Sequence, residues 1–232
     1  MGKKTLSSPR ITGTEAVWGW GWWAFQFFLL PSLLPAVNTL LSRPLSQAEL
    51  NFTFFLMNFL AVLLIFHSFL ARSARAAVAH PAYFCQAVVL GLAAYYACTW
   101  AVDWAAARLV PSFTNYNDAS ILALGRGSRL LTLIGVVVLV PPVEECFFRG
   151  LIFATLYRKS HWAAYIVSML AFTAIHIMGY IGTYSAAELL IAIAQYLPAG
   201  LCLAWSYTKA ETIFAPILIH AIINFVAISG LR

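Results

Sequence analysis

A chain of 232 residues that is 62% hydrophobic and 9% charged, with a mean hydropathy of +0.83, lacks the polar surface that keeps a domain in water. Its formal net charge of +6 is spread over short polar stretches and suits contact with a lipid bilayer rather than nucleic acid, for which no basic face with interleaved aromatics exists. The cysteines Cys85, Cys98, Cys146 and Cys202 show no CxxC spacing and no zinc-finger histidines, so buried free thiols are expected.

In chain order, residues 1–15 read as a polar N-terminal tail carrying Lys3, Lys4 and Arg10. Apolar stretches near the length of a membrane crossing follow at 16–41, 50–71, 82–102, 130–157, 161–181, 187–207 and 213–230. The expectation is an all-α membrane protein, a polytopic bundle of about seven to eight transmembrane helices. Trp18, Trp20, Trp22 and Trp23 open the first span and read as an aromatic belt at headgroup level; Pro31 and Pro35 break that span. The longest polar stretch, 103–129, has room for interfacial turns before Pro111 and a short amphipathic helix over 119–130. The chain then divides into N-terminal helices with their connecting loop over 16–129 and a helical core over 130–232. With seven spans, the N-terminal side collects Lys3, Lys4, Arg10, Arg72, Arg75, Arg158, Lys159 and Lys209, against Arg43, Arg108, Arg126, Arg129 and Arg232 opposite. That excess favours a cytoplasmic N-terminus.

The fourth span holds the most informative residues. Glu144, Glu145 and Arg149 interrupt a run that is otherwise apolar on both sides. Insertion scales charge about 2.5–3.5 kcal/mol for each such side chain at mid-membrane, on the order of 8–10 kcal/mol for three facing lipid. They must therefore face a bundle interior or a wet cavity. Glu145 and Arg149 are one turn apart and can pair, while Glu144 points about 100° away. Pro141 and Pro142 remove two backbone donors just before the motif and open space beside the carboxylates. The fifth span adds His176 with Phe172 one turn before it, and the seventh adds His220 with Asn224 one turn after it. Carboxylates, imidazoles and a carboxamide on three helices are the groups needed to activate a water and stabilise an oxyanion. Taken singly, a membrane histidine is more often a helix–helix hydrogen bonder, the reading given to His67, Asn51, Asn58 and Gln86.

The patterns Glu-Glu-x-x-x-Arg (144–149), Phe-x-x-x-His (172–176) and His-x-x-x-Asn (220–224), in that order within apolar spans, resemble those of the CPBP (Abi) intramembrane proteases, which include the type II CAAX prenyl endopeptidases. The resemblance implies an intramembrane endopeptidase of the plasma membrane of a prokaryote. Its substrate would be membrane-embedded or lipid-anchored, cut near a CAAX-like or sorting tail or a leader. Carried over by motif, Glu144 is the general base acting with His176, His220 and Asn224 stabilise the oxyanion, and Glu145, Arg149 and Phe172 support them.

Two chemistries stay open at this point. One is a metal-free glutamate mechanism; the other places a zinc ion on Glu144, His176 and His220, a His₂Glu set with an open position. The metal-free form is expected, because a zinc-bound histidine normally gives its second nitrogen to a carboxylate or carbonyl, and Arg149 should claim Glu145. The competing function classes are a non-catalytic scaffold or immunity factor and a proton-coupled transporter. The small size and the lack of repeated halves weigh against the transporter.

Overall fold

The computed structural model describes residues 9–230, whose regular elements are all helices, with no strand among them. Lys3, Lys4 and Arg232, part of the loop-charge count, lie outside the described residues, as do the first eight positions of the expected tail. The end of that tail is not loose. Thr12 and Glu15 form a capping box, Thr12 Oγ1 accepting from the Glu15 amide and Glu15 Oε2 from the Thr12 amide. That cap starts α1 (Gly13–Phe28). Glu15 is buried: Oε1 accepts from the Phe69 amide at 2.8 Å and Oε2 pairs with Arg72 at 3.1 Å, which docks the start of α1 on a second helix.

The first expected span is two helices, α1 and α2 (Leu30–Asn38), with Leu29 as the cap between them and Pro31 in the first turn of the second. The second is also broken, at Phe66, into α3 (Gln47–Ile65) and α4 (His67–Ala79). The next helix, α5 (Pro81–Leu109), absorbs the interfacial turns expected after residue 103. The short polar helix is present as α6 (Tyr116–Gly127), capped by Asn115. Then come α7 (Arg129–Tyr157), α8 (His161–Tyr180, its last turn tightened), α9 (Ala186–Ala210) and α10 (Phe214–Gly230). Five helices, α3, α5, α7, α8 and α9, are long and apolar enough to cross a membrane, and α10 is a shorter apolar helix.

Helix α9 is central, packing on α5, α8 and α10, while α7 packs on α1, α3, α8 and α10. The α8–α9 approach is close because Gly200 has no side chain: a Cβ there would stand 3.0 Å from the Met169 Cα. Helix α7 is not regular. Two wider π-helical stretches, Ile134–Leu139 and Cys146–Phe153, flank a short α segment, Val140–Glu145. Pro141 and Pro142 cannot donate to carbonyls a turn back, and the ladder shifts register there, the Val140 amide reaching Gly135.

Two expectations need correction. Only Cys146 and Cys202 are buried thiols; Cys85 and Cys98, both on α5, are exposed. The tryptophan group is not simply an interfacial belt either. Trp18 is exposed, but Trp22 donates to Asn58 Oδ1 at 2.9 Å, and Trp23 stacks on Phe147 with ring centroids 4.2 Å apart. The first helix therefore reaches the Glu-Glu-x-x-x-Arg segment itself. Asn58 is the buried helix–helix bonder the sequence suggested.

Candidate active site

The charged motif residues of α7 lie where its α segment meets the second wide stretch, Glu144 and Glu145 closing the one and Arg149 within the other. Glu145 and Arg149 are both fully buried, with Nη1 to Oε1 at 3.0 Å. The guanidinium goes further: Nη2 donates to the Gly200 carbonyl at 3.1 Å, and its plane lies over the Phe172 ring at 4.7 Å. A buried ion pair is costly to desolvate, and further hydrogen bonds offset part of that cost, although Glu145 Oε2 and Arg149 Nε have no hydrogen-bond partner. Here the third partner is His220, whose Nδ1 donates to the same Glu145 Oε1 at 2.9 Å. Arg149 thus ties α7 to α9, and Glu145 ties α7 to α10.

Glu144 is turned away from that pair. Its side chain is 20% exposed, and Oε2 makes no hydrogen bond to the protein. Two imidazole nitrogens face this oxygen, His176 Nε2 and His220 Nε2, each at 3.9 Å. Both rings are held by their other nitrogen: His176 Nδ1 donates to the Phe172 carbonyl at 2.8 Å, and His220 Nδ1 to Glu145. A separation of 3.9 Å is too long for a direct hydrogen bond and within the span that one bridging water can cover, although Oε2 itself is enclosed. Phe172 fills the space between these parts, 4.6 Å from the His176 ring and 5.7 Å from that of His220.

Glu144, His176, His220, Asn224 and Phe172 line one cavity of about 350 Å³. Asn224 stands one turn beyond His220, with its Nδ2 donating to the Val136 carbonyl at 2.8 Å; a carboxamide carries two N–H groups, so one donor remains. The cavity runs from Glu144 to a polar end formed by Asp103, Asn115, Asn117, Asp118, Gln195 and Tyr196. None of these was singled out from the sequence as a site residue. They sit on α5, α6 and α9, whose polar positions carry no motif, and only the fold brings them together. Glu144 also borders a second cavity of about 230 Å³, walled by Trp23, Phe27, Phe54, Phe55, Phe147 and Phe148. The carboxylate therefore stands where an aromatic chamber meets a polar one.

The expectation that Arg149 alone takes Glu145 is overturned. Glu145 serves Arg149 and His220 at once, and His176 has its own carbonyl, so both imidazoles have the oriented second nitrogen that a zinc ligand shows. Spacing speaks differently. Ligands at 2.0–2.1 Å from a tetrahedral zinc lie roughly 3.3 Å apart, shorter than the 3.9 Å found here. Among the described residues no group of three His, Cys, Asp or Glu side chains is arranged to hold a metal. As placed, the donors do not fit a zinc ion.

Residues 126–226, somewhat under half of the chain, match the family model of the type II CAAX prenyl endopeptidase Rce1-like proteins. All three motifs fall inside the match. No curated protein and no solved structure matches the chain significantly. The chain is an integral, multi-pass membrane protein whose residues 126–226 are similar to the type II CAAX prenyl endopeptidase Rce1-like family.

Proposed function

We propose that this protein is an intramembrane endopeptidase that hydrolyses a peptide bond in a membrane-embedded or lipid-anchored substrate, using a water activated by Glu144 and His176. The observation that carries the reading is the convergence of Glu144 Oε2, His176 Nε2 and His220 Nε2 on one cavity wall, each imidazole 3.9 Å from the carboxylate. Glu144 accepts a proton from the water as its oxygen attacks the scissile carbonyl carbon. The negative charge that forms on the carbonyl oxygen is met by the remaining N–H of Asn224 and by His220, which donates from Nε2 in its doubly protonated form while Nδ1–H stays on Glu145. When the C–N bond breaks, the proton held by Glu144 passes to the leaving amine. Glu145 and Arg149 take no proton in this scheme; they fix His220 and the wall behind it.

The substrate is a CAAX-like or sorting tail, or a leader, presented from the bilayer of a prokaryotic plasma membrane, with the N-terminus of the enzyme in the cytoplasm. The aromatic chamber beside Glu144 suits an apolar group next to the scissile bond. The mechanism is metal-free.

The test uses purified protein in lipid nanodiscs with a farnesylated CAAX-ended peptide and, separately, a single-span protein bearing a C-terminal tail, with products read by mass spectrometry. Cleavage of either by the parent and loss with Glu144→Gln is expected. Failure to cut both substrates by a folded parent would sink the endopeptidase reading. Exhaustive chelation should leave turnover unchanged, with zinc well below one ion per chain. Loss of activity on chelation, restored by added zinc, would replace the metal-free mechanism with a metalloprotease.

A further inference from the structure

His176 owes its orientation to more than its own helix. The Nδ1–Phe172 carbonyl bond fixes one edge of the ring, and a single hydrogen bond leaves a ring free to swing about that contact. Tyr196 of α9 limits the swing, stacking on the imidazole with centroids 4.6 Å apart and planes 28° from parallel. The phenol is itself held at its far end, its hydroxyl donating to Asn115 Oδ1 at 3.1 Å. Asn115 is a fixed point: Oδ1 also accepts from the Asp118 amide as the cap of α6, and Nδ2 donates to Gln195 Oε1 at 3.0 Å. Gln195 in turn donates to Asp103 Oδ1 at 3.0 Å. A continuous set of contacts therefore runs from α5 and the cap of α6, through α9, to the imidazole opposite Glu144.

We infer that Tyr196 is a positioning residue for His176 and that Asn115 anchors it, so the polar end of the cavity sets the alignment of the water-activating pair. This rests on the reading of Glu144 and His176 as that pair. The physical argument is one of tolerance. Reacting groups must be held to a fraction of an ångström, and a misplacement of about 1 Å can cost on the order of 10²-fold in rate. Nε2 of His176 lies at the edge of the ring farthest from its backbone bond, so small rotations about Nδ1 move it most. A tyrosine that merely filled space between α8 and α9 would not need its hydroxyl tied to a helix cap.

The experiment compares the parent with Tyr196→Phe, Tyr196→Leu and Asn115→Ala in nanodiscs, using the farnesylated CAAX-ended peptide as probe. Three readouts are taken: kcat and KM, the thermal unfolding midpoint, and the imidazole nitrogen resonances of ¹⁵N-labelled His176, assigned by their loss in His176→Gln. Tyr196→Phe keeps the stacked ring and loses one hydrogen bond, so kcat should fall by up to about tenfold, and Asn115→Ala should match it. Tyr196→Leu should lower kcat on the order of 10²-fold with KM within about twofold. The His176 nitrogens should report an Nδ1–H tautomer in the parent and a mixture in Tyr196→Leu. Unchanged kcat in Tyr196→Leu, a loss confined to KM, or unaltered His176 resonances would overturn the assignment. If Tyr196→Leu does not fold, Tyr196→Phe and Asn115→Ala carry the test, since both keep the ring; parental kcat in both then overturns it. A parent that cuts nothing refutes the endopeptidase reading, while the nitrogen resonances still decide whether Tyr196 holds the ring.

Discussion

Glu144 and Glu145 are adjacent residues on one helix in opposite surroundings. Glu145 is fully buried, and one of its oxygens takes Arg149 and His220 together. Glu144 keeps a fifth of its side chain exposed and faces two imidazoles at 3.9 Å with no hydrogen bond to Oε2. A rotation of about 100° along the helix separates the two faces. The difference divides the labour: a carboxylate tied through one oxygen to an arginine and an imidazole is a fixed part of the wall, and one that no arginine neutralises and that faces two imidazoles can hold and move a proton.

Removing Glu144, or the partner of Glu145, should break the comparison most clearly. Glu144→Gln removes the base and leaves the buried pair intact, so turnover should fall by about 10²–10⁴-fold with no loss of folded yield. Turnover within tenfold of the parent would mean that the general base lies elsewhere. Arg149→Ala should do the reverse. It strands Glu145 in the interior, and breaking a buried pair costs about 3–5 kcal/mol. Its loss should appear first as lower yield and a lower unfolding midpoint, with activity falling because Glu145, which holds His220, loses its guanidinium partner. A variant as stable as the parent would show that the pair is not what holds α7 to α9.

The charged pair and its pairing were legible in the sequence, since four-residue spacing on a helix is local geometry. So was the assembly of three motifs on three helices, because charge that cannot face lipid must converge. The two histidines' second partners were not. Glu145 was assigned to Arg149 alone, and nothing in a sequence tells that a carboxylate oxygen will take two donors from different helices. Tyr196 and Asn115 were invisible for another reason: stacking and capping across α8, α9 and α6 depend on contacts between residues far apart in the chain. The breaks at Leu29 and Phe66 were missed in part as well. Pro31 announced the first, whereas the second has no proline or glycine to mark it.

A weaker way to disturb the same wall is through Gly200, whose carbonyl takes Arg149 Nη2. A methyl there would meet the Met169 backbone, and Gly200→Ala should force α9 from α8 at a cost of about 1–3 kcal/mol, the usual range for overpacking. Arg149 would lose an acceptor while Glu144 stayed untouched, so thermal stability should drop more than turnover. A larger loss of turnover at parental stability would put the α8–α9 spacing on the catalytic side of the division.

The smallest effect is expected at the far end of the cavity. Asp118 on α6 has its carboxyl held above the ordinary carboxylate range, first by burial and further by the charge of Asp103, against a hydrogen bond from Asn117. A raised pKa means that folding favours the protonated form. The stability that form contributes is complete below the unfolded value of 3.8 and is lost as pH rises through the higher folded value. At neutral pH the ionised Asp118 is therefore the less favourable form, and Asp118→Asn, neutral at every pH, should raise the unfolding midpoint by on the order of 2 °C. The gain should shrink as pH is lowered from 7 toward 4, because the parent then protonates and recovers what the amide supplied. Midpoints of both proteins across that range check it, and a gain independent of pH would show that the amide acts by packing rather than by charge.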